Sequence, residues 1–297
     1  MDKILTQKKT SSIKRKKRIS RTTAYIIVGI TSTLWILPLI WMIFQSFAGP
    51  EGSYQSGSLI PTSFSFHWYA KLFTDPNYPY WRWFLNTLII SIVCLVLSTF
   101  FTISMAYVMS RFRFKKRKLL QSIGLILGMF PGFMSMAAIY YIFKSVGMVG
   151  DVEVWKKMIA LMLVYSGGAG LGYYVAKGFF DTVSRSLDEA ARIDGAPNSV
   201  IFWKIILPLS KPIIVYTALM SFLGPWGDFI FASYLLGTQT ESWTVAVGLY
   251  ELITKDPVNY YNMFMAGAVF VAVPITGLFL YLQKYFVEGI TGGAVKG

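Results

Sequence analysis

Few residues in this sequence have the type and spacing to do chemistry. Asp228, in "GPWGDFIFA", is the one ionisable side chain inside an otherwise apolar run. An acid at membrane depth is a candidate for proton or ion coupling. Pro225, Trp226 and Gly227 beside it equally suit a helix break, where the acid is structural or gates the chain. A single histidine, His67, and a single cysteine, Cys94, exclude a His cluster for a metal and an intramolecular disulfide. Neither paired carboxylates nor a Ser/His/Asp set falls in the apolar segments, so an intramembrane enzyme has no catalytic group. "GAGLG" (168–172) brushes against a nucleotide fingerprint, but it lies in an apolar run with no strand before it. No G-x-x-x-x-G-K-[ST] occurs anywhere. If ATP drives this protein, ATP and Mg are bound by another subunit, and this chain binds no cofactor and no metal.

One polar block has a legible architecture: "EAARIDGAPNSVIFWKIILP", residues 189–208. Ser186 and Glu189 have the spacing of a capping box that starts a helix through "DEAARID". Gly195 follows as a left-handed stop, and Pro197 with Asn198 or Ser199 opens a second helix that Pro208 ends. Ala190 and Ala191 keep one face of the first helix thin. Phe202, Trp203, Ile205, Ile206 and Leu207 give the second helix apolar material to pack on its own chain. A short, rigid, thin-faced helix suits insertion into a partner's groove.

The segments that must position this block are membrane helices. The 297 residues are 55% hydrophobic and 14% charged, against roughly 25% charged in a soluble domain; mean hydropathy is +0.52. A bilayer core takes about 20 apolar residues of helix. Uncharged runs of that order occupy 24–50, 83–110, 119–143, 158–176 and 258–283, and a sixth runs from Pro212 to Thr240 with only Asp228 inside it. The expected fold is all-α and polytopic, with six transmembrane helices. Gly124, Gly128 and Gly132 stand in line for close helix packing, with Pro131 as a kink among them, and Gly168 and Gly172 form a second such pair. The net charge of +14 belongs to loops and not to a basic face for nucleic acid. Of the Lys and Arg residues, 22 fall on one face and 6 on the other, which puts both termini and the polar block in the cytosol. "NYPYWRWF" (77–84) forms an aromatic belt on the opposite side. The first apolar run is too long for a signal peptide and stays as an anchor. The basic tail, residues 1–23, reads as a disordered segment drawn to lipid.

Glu189, Ala190, Ala191, Gly195, Ile205, Leu207 and Pro208 match E-A-A-x-x-x-G-x(9)-I-x-L-P at every defined position. This block resembles the cytoplasmic coupling loop of the permease subunits of ABC importers, and "RIDGA" around Asp194 resembles their carbohydrate branch. The tail "VEGITGGAVKG" (287–297) is similar to that of maltose/maltodextrin permeases. The resemblance implies the type I ABC importer permease fold and one half of the translocation pathway of an ATP-driven importer of maltodextrin or a similar oligosaccharide. The implied setting is a prokaryotic cytoplasmic membrane. The implied partners are a second permease subunit, two ATPase subunits and an extracytoplasmic sugar-binding protein, in contact with membrane lipid. In such a system the seven block residues contact the ATPase, and Gly292, Gly293 and Gly297 reach between the two ATPase subunits. The outward loop 238–260, with Trp243, Val247 and Leu249, contacts the binding protein. The domains expected are a basic tail (1–23), a transmembrane domain (24–287) containing the coupling loop (181–211), and a C-terminal tail (288–297). A competing class is an ion-coupled secondary carrier or channel working through Asp228. It leaves the block unexplained, and the sequence shows no inverted repeat.

Overall fold

The apolar runs become helices because little inside them stops one. The computed structural model describes residues 2–50, 60–129, 131–168 and 172–294. Thirteen helices are assigned there: α1 (Asp2–Ser46), α2 (His67–Thr74), α3 (Tyr80–Arg111), α4 (Arg117–Met129), α5 (Gly132–Ser145), α6 (Val154–Gly168), α7 (Tyr173–Thr182), α8 (Ser186–Ile193), α9 (Asn198–Leu209), α10 (Lys211–Gly227), α11 (Ile230–Leu236), α12 (Val245–Lys255) and α13 (Pro257–Ala294). A single turn of 3₁₀ helix at Thr240–Ser242 precedes α12. Among the described residues the sole β pairing is an isolated bridge between Ala48 and Phe64.

Four stretches are long and apolar enough to cross a membrane: Ser20–Ser46, Tyr80–Arg111, Val154–Thr182 and Pro257–Tyr285. Two bent pairs bring the number to six, and the first bend departs from the sequence expectation. At Pro131 the chain turns by 102° between α4 and α5. Gly132 therefore starts a new helix, and it does not extend a stripe with Gly124 and Gly128. Proline cannot donate the helix bond and collides with the preceding turn, so two helices with a sharp break replace one kinked span. The last expected run, 212–240, also divides. α10 covers 17 residues and ends at Gly227, α11 resumes at Ile230, and α9 meets α10 at 82°. The basic tail differs too, since the backbone is helical from Asp2 onward. No proline or glycine interrupts it before Gly29.

Side-chain bonds fasten the helices at both ends of the bundle. At the end carrying the N-terminus of α3, Tyr80 Oη donates to Gly267 O (2.8 Å) and Asn262 Nδ2 to Gln45 O (2.8 Å). There Asn86 Nδ2 donates to the carbonyls of Glu241 (2.9 Å) and Trp243 (3.0 Å). The larger core lies at this end, around Trp83, Leu72, Leu235 and Leu252. Gly248 lets α12 lie on Trp83: a Cβ at position 248 would sit 2.0 Å from the indole. A smaller core at the other end joins Met109 and Tyr107 of α3, Phe180 of α7 and Ile201 and Ile206 of α9. The apolar window of α1 is 0% buried, which suits a helix that faces lipid or another subunit.

Candidate functional site

The polar block folds as helix, turn, helix, seated on the smaller core. α8 stops at Gly195, whose φ of +80° lies in the left-handed region. Ala196 N donates to Ala191 O (2.9 Å) and Gly195 N to Arg192 O (3.0 Å), the paired bonds of a Schellman stop. Pro197 precedes the first turn of α9, as its fixed φ allows. Two local expectations fail. Ser186 is the first residue of α8 and makes no capping bond; Ser186 N instead donates to Ser184 Oγ (3.3 Å). Pro208 does not end the second helix, which continues to Leu209 and stops at Ser210. Residues 201–206 wind as a wider π-turn just before it. A proline inside a helix needs relief in the preceding turn, and the wide turn supplies it.

The two faces of α8 do different things. Asp188 and Ala191 turn inward and are buried, whereas Glu189 and Ala190 are exposed. The two alanines of the motif thus point opposite ways and do not share one thin face. Leu187, Ala190 and Ile193, spaced by three, form an exposed apolar ridge, and Ile193 is 86% exposed at its tip. On α9, Ile205 and Leu207 pack against the smaller core, and Pro208 and Trp203 are exposed. Phe202 carries the contact inward, 4.6 Å from the ring of Tyr107.

Arginines that the sequence presents only as loop charges fasten the block to the bundle. Arg111, the last residue of α3, donates from Nη2 to the carbonyls of Phe180 (3.1 Å) and Val183 (2.9 Å). Its Nε lies 3.5 Å from Asp188 Oδ2, and the two side chains are 2% and 10% exposed. Arg185 returns the contact, donating to Ser110 O (3.1 Å). Ser110 Oγ donates to Asp181 Oδ1 (2.6 Å), and Lys177 pairs with Asp181 Oδ2 (2.6 Å). Arg192 bridges the turn to Asn198 Oδ1 (3.2 Å). A cavity of about 360 Å³ at the base of α8 is lined by Arg111, Arg113, Arg185 and Arg192 with Asp188 and Glu189. The one available signal was that Arg111 closes a long apolar run and Asp188 adjoins the motif.

Asp228 stands at the break between α10 and α11. Its Oδ1 accepts from Phe231 N (3.1 Å) and caps the new helix, while Oδ2 accepts from Tyr165 Oη of α6 (2.6 Å). Both oxygens are engaged within the chain. Trp243, Val247 and Leu249 are buried in the larger core, and Trp243 Nε1 donates to Gly237 O (2.8 Å). They pack the outward segment and do not present the exposed face expected of a contact with a binding protein; the exposed side chains there are Glu241, Tyr250, Thr254 and Lys255. Burial wins because large apolar side chains on a short helix over a core are worth more inside it. Gly292 and Gly293 fall at the end of α13, and Gly297 lies outside the described residues. Among the described residues no group of three His, Cys, Asp or Glu side chains could hold a metal.

The model of the "Binding-protein-dependent transport system inner membrane component" family matches residues 98–292. The match takes in α8, α9 and the broken helix together. The chain belongs to this family of inner membrane transport components. Family relatives match it from end to end. The galactooligosaccharides transport system permease protein GanQ of Bacillus subtilis (strain 168) is 36% identical over 97% of this chain and 99% of its own. The maltodextrin transport system permease protein MalD of Streptococcus pneumoniae (strain ATCC BAA-255 / R6) is also 36% identical, over 97% and 99%. The fold is that of a bacterial ABC transporter involved in the import of the acidic polysaccharide alginate, with a TM-score of 0.72 and 23% identity over 92% of this chain and 98% of that one. As an inner membrane transport component, the chain is a multi-pass membrane protein and not an enzyme.

Proposed function

We propose that this chain is one of two permease subunits lining the pathway of an ATP-driven importer of maltodextrin or a similar oligosaccharide. The relatives named for oligosaccharide and maltodextrin transport support the substrate class. In this reading two ATPase subunits, which bind the ATP and Mg, engage the 186–209 block from the cytosol. Both termini lie on that side, as the charge asymmetry requires. An extracytoplasmic binding protein delivers the sugar at the opposite end.

The observation that carries the reading is the ridge Leu187–Ala190–Ile193, exposed on a helix whose inner face is clamped to α3. A contiguous apolar ridge that ends in an isoleucine 86% exposed is the kind of patch that a groove on a partner subunit covers. Glu189 stands beside the ridge, and Gly195 sets the angle between α8 and α9. Closure of the ATPase pair then pushes α8. The Arg111–Asp188 pair and the Phe202–Tyr107 contact pass that movement to α3 and the pathway.

The test is Glu189→Lys in the assembled transporter, read by sugar uptake and ATP hydrolysis together. The expected result is at least a tenfold fall in uptake, about 1.4 kcal/mol of coupling, with the subunit still inserted and hydrolysis no longer tied to uptake. Uptake at the wild-type rate would remove the coupling role.

A further inference from the structure

We infer that this subunit carries its own saccharide-contacting subsite at the end of the bundle opposite the 186–209 block, an inference that rests on the proposed function. A cavity of about 700 Å³ opens there between the end of α5, the loop at Gly150, the start of α6 and the end of α11. Its lining includes Tyr140, Asp151, Lys157, Tyr234, Thr238 and Gln239. The volume falls within the range of small-ligand sites.

The chemistry of the lining fits a sugar ring. Tyr140 and Tyr234 meet edge to face, with centroids 5.4 Å apart and planes at 62°. Lys144 approaches the Tyr140 ring at 6.0 Å, and Tyr234 is 44% exposed. An exposed aromatic face packs on the C–H side of a pyranose, while planar amides, hydroxyls and ammonium groups pair with its hydroxyls. Gln239 and Thr238 supply two of these polar groups on the rim.

Lys157 is the independent mark of a site. It is 4% exposed, yet among the described residues it has no ion-pair partner. Its ammonium donates to Leu236 O (3.1 Å), the last carbonyl of α11, which leaves two of its three N–H bonds for the cavity it lines. A buried ammonium needs its donors satisfied. Asp151 lines the same cavity, so the charges nearly balance, and a neutral polyhydroxyl ligand suits them better than a phosphate or a uronate. Glycines with positive φ, Gly150 (+99°) and Gly237 (+67°), turn the backbone at its rim.

The experiment uses the assembled transporter in lipid nanodiscs without its binding protein, with maltotriose and galactotriose as probes in saturation-transfer NMR. Sugar transported per ATP is measured in parallel on the complete system in proteoliposomes. Saturation of ring protons by the wild type is expected, with affinity weakened about fivefold in each of Tyr234→Ala and Gln239→Ala, the loss of about one net hydrogen bond or contact. Tyr234→Ala, which lies outside the 238–260 loop, keeps the stimulation of ATP hydrolysis by the binding protein, which a merely structural role would disturb. Sugar moved per ATP falls. A wild type that transports one of these sugars yet gives no saturation, or variants that bind as the wild type does, would overturn the subsite alone. A wild type that transports neither sugar nor any other oligosaccharide removes the reading on which it rests.

Discussion

Arg111 and Asp188 form a pair 3.5 Å apart between the last residue of the longest well-buried helix and the inner face of α8. The guanidinium is further held by two carbonyls at the end of α7, Phe180 in its last turn and Val183 just after it. Such a pair contributes little net stability over an apolar substitute, but removing one partner strands a buried charge. Its value is placement, because it fixes the block on the bundle so that a push on one is felt by the other.

Arg111→Met should therefore cost about 3–5 kcal/mol locally, the price of an unpaired buried carboxylate. Asp188→Asn, which leaves the arginine its two carbonyl partners, should cost less. Hydrogen exchange across 183–198 reads the difference: fast exchange in Arg111→Met, intermediate in Asp188→Asn. Equal protection in both variants would mean that the block is held by the smaller core alone.

Gly248→Ala tests the larger core. The added methyl would fall 2.0 Å from the Trp83 ring, and that ring is fixed by its bond from Nε1 to Thr240 O (2.8 Å). Overpacking of this kind costs about 1–3 kcal/mol, so the subunit should melt earlier in detergent. Gly128→Ala, where no atom lies within 4 Å, serves as the control and should change nothing.

Much of this arrangement was legible in the residues. Apolar run lengths gave the helices, Gly195 gave the stop, and seven spaced residues gave the block. Four things were not. A proline marks a disturbance but not its angle, and the 102° turn at Pro131 depends on what packs around it. The capping box at Ser186 is a local rule overridden by Ser184, two residues earlier, whose hydroxyl takes the Ser186 N–H. Arg111 looked like one of six loop charges because partners distant in sequence, not its neighbours, make it structural. Trp243 likewise looked like a contact residue until Trp83, with its ring 5.8 Å away, showed where it packs.

Asp228 separates the importer from an ion-coupled carrier. Its carboxylate accepts from Phe231 N and Tyr165 Oη, two bonds that an amide oxygen can replace only in part. Tyr165→Phe removes one bond and should cost about 1 kcal/mol. Asp228→Asn should lower the uptake rate a few-fold at most, and a protonophore at constant ATP should leave uptake intact. Abolition of uptake by both treatments would instead assign the acid to ion coupling.

Gly195 offers the sharpest test of how the block transmits force. Its φ of +80° is a conformation that costs an ordinary L residue about 1–2 kcal/mol, and the space around it is open, with no atom within 4 Å of an added Cβ. A substitution there strains the backbone without a clash. Gly195→Asn should be tolerated, since asparagine enters the left-handed region more readily than other residues. Gly195→Val should open the Schellman stop, loosen the bond from Ala196 N to Ala191 O and change the angle between α8 and α9. Measured as sugar transported per ATP, the order should be glycine, then asparagine, then valine, with hydrolysis itself retained in all three. An asparagine variant as uncoupled as valine would place the requirement on the absence of a side chain at the partner's surface, not on the angle.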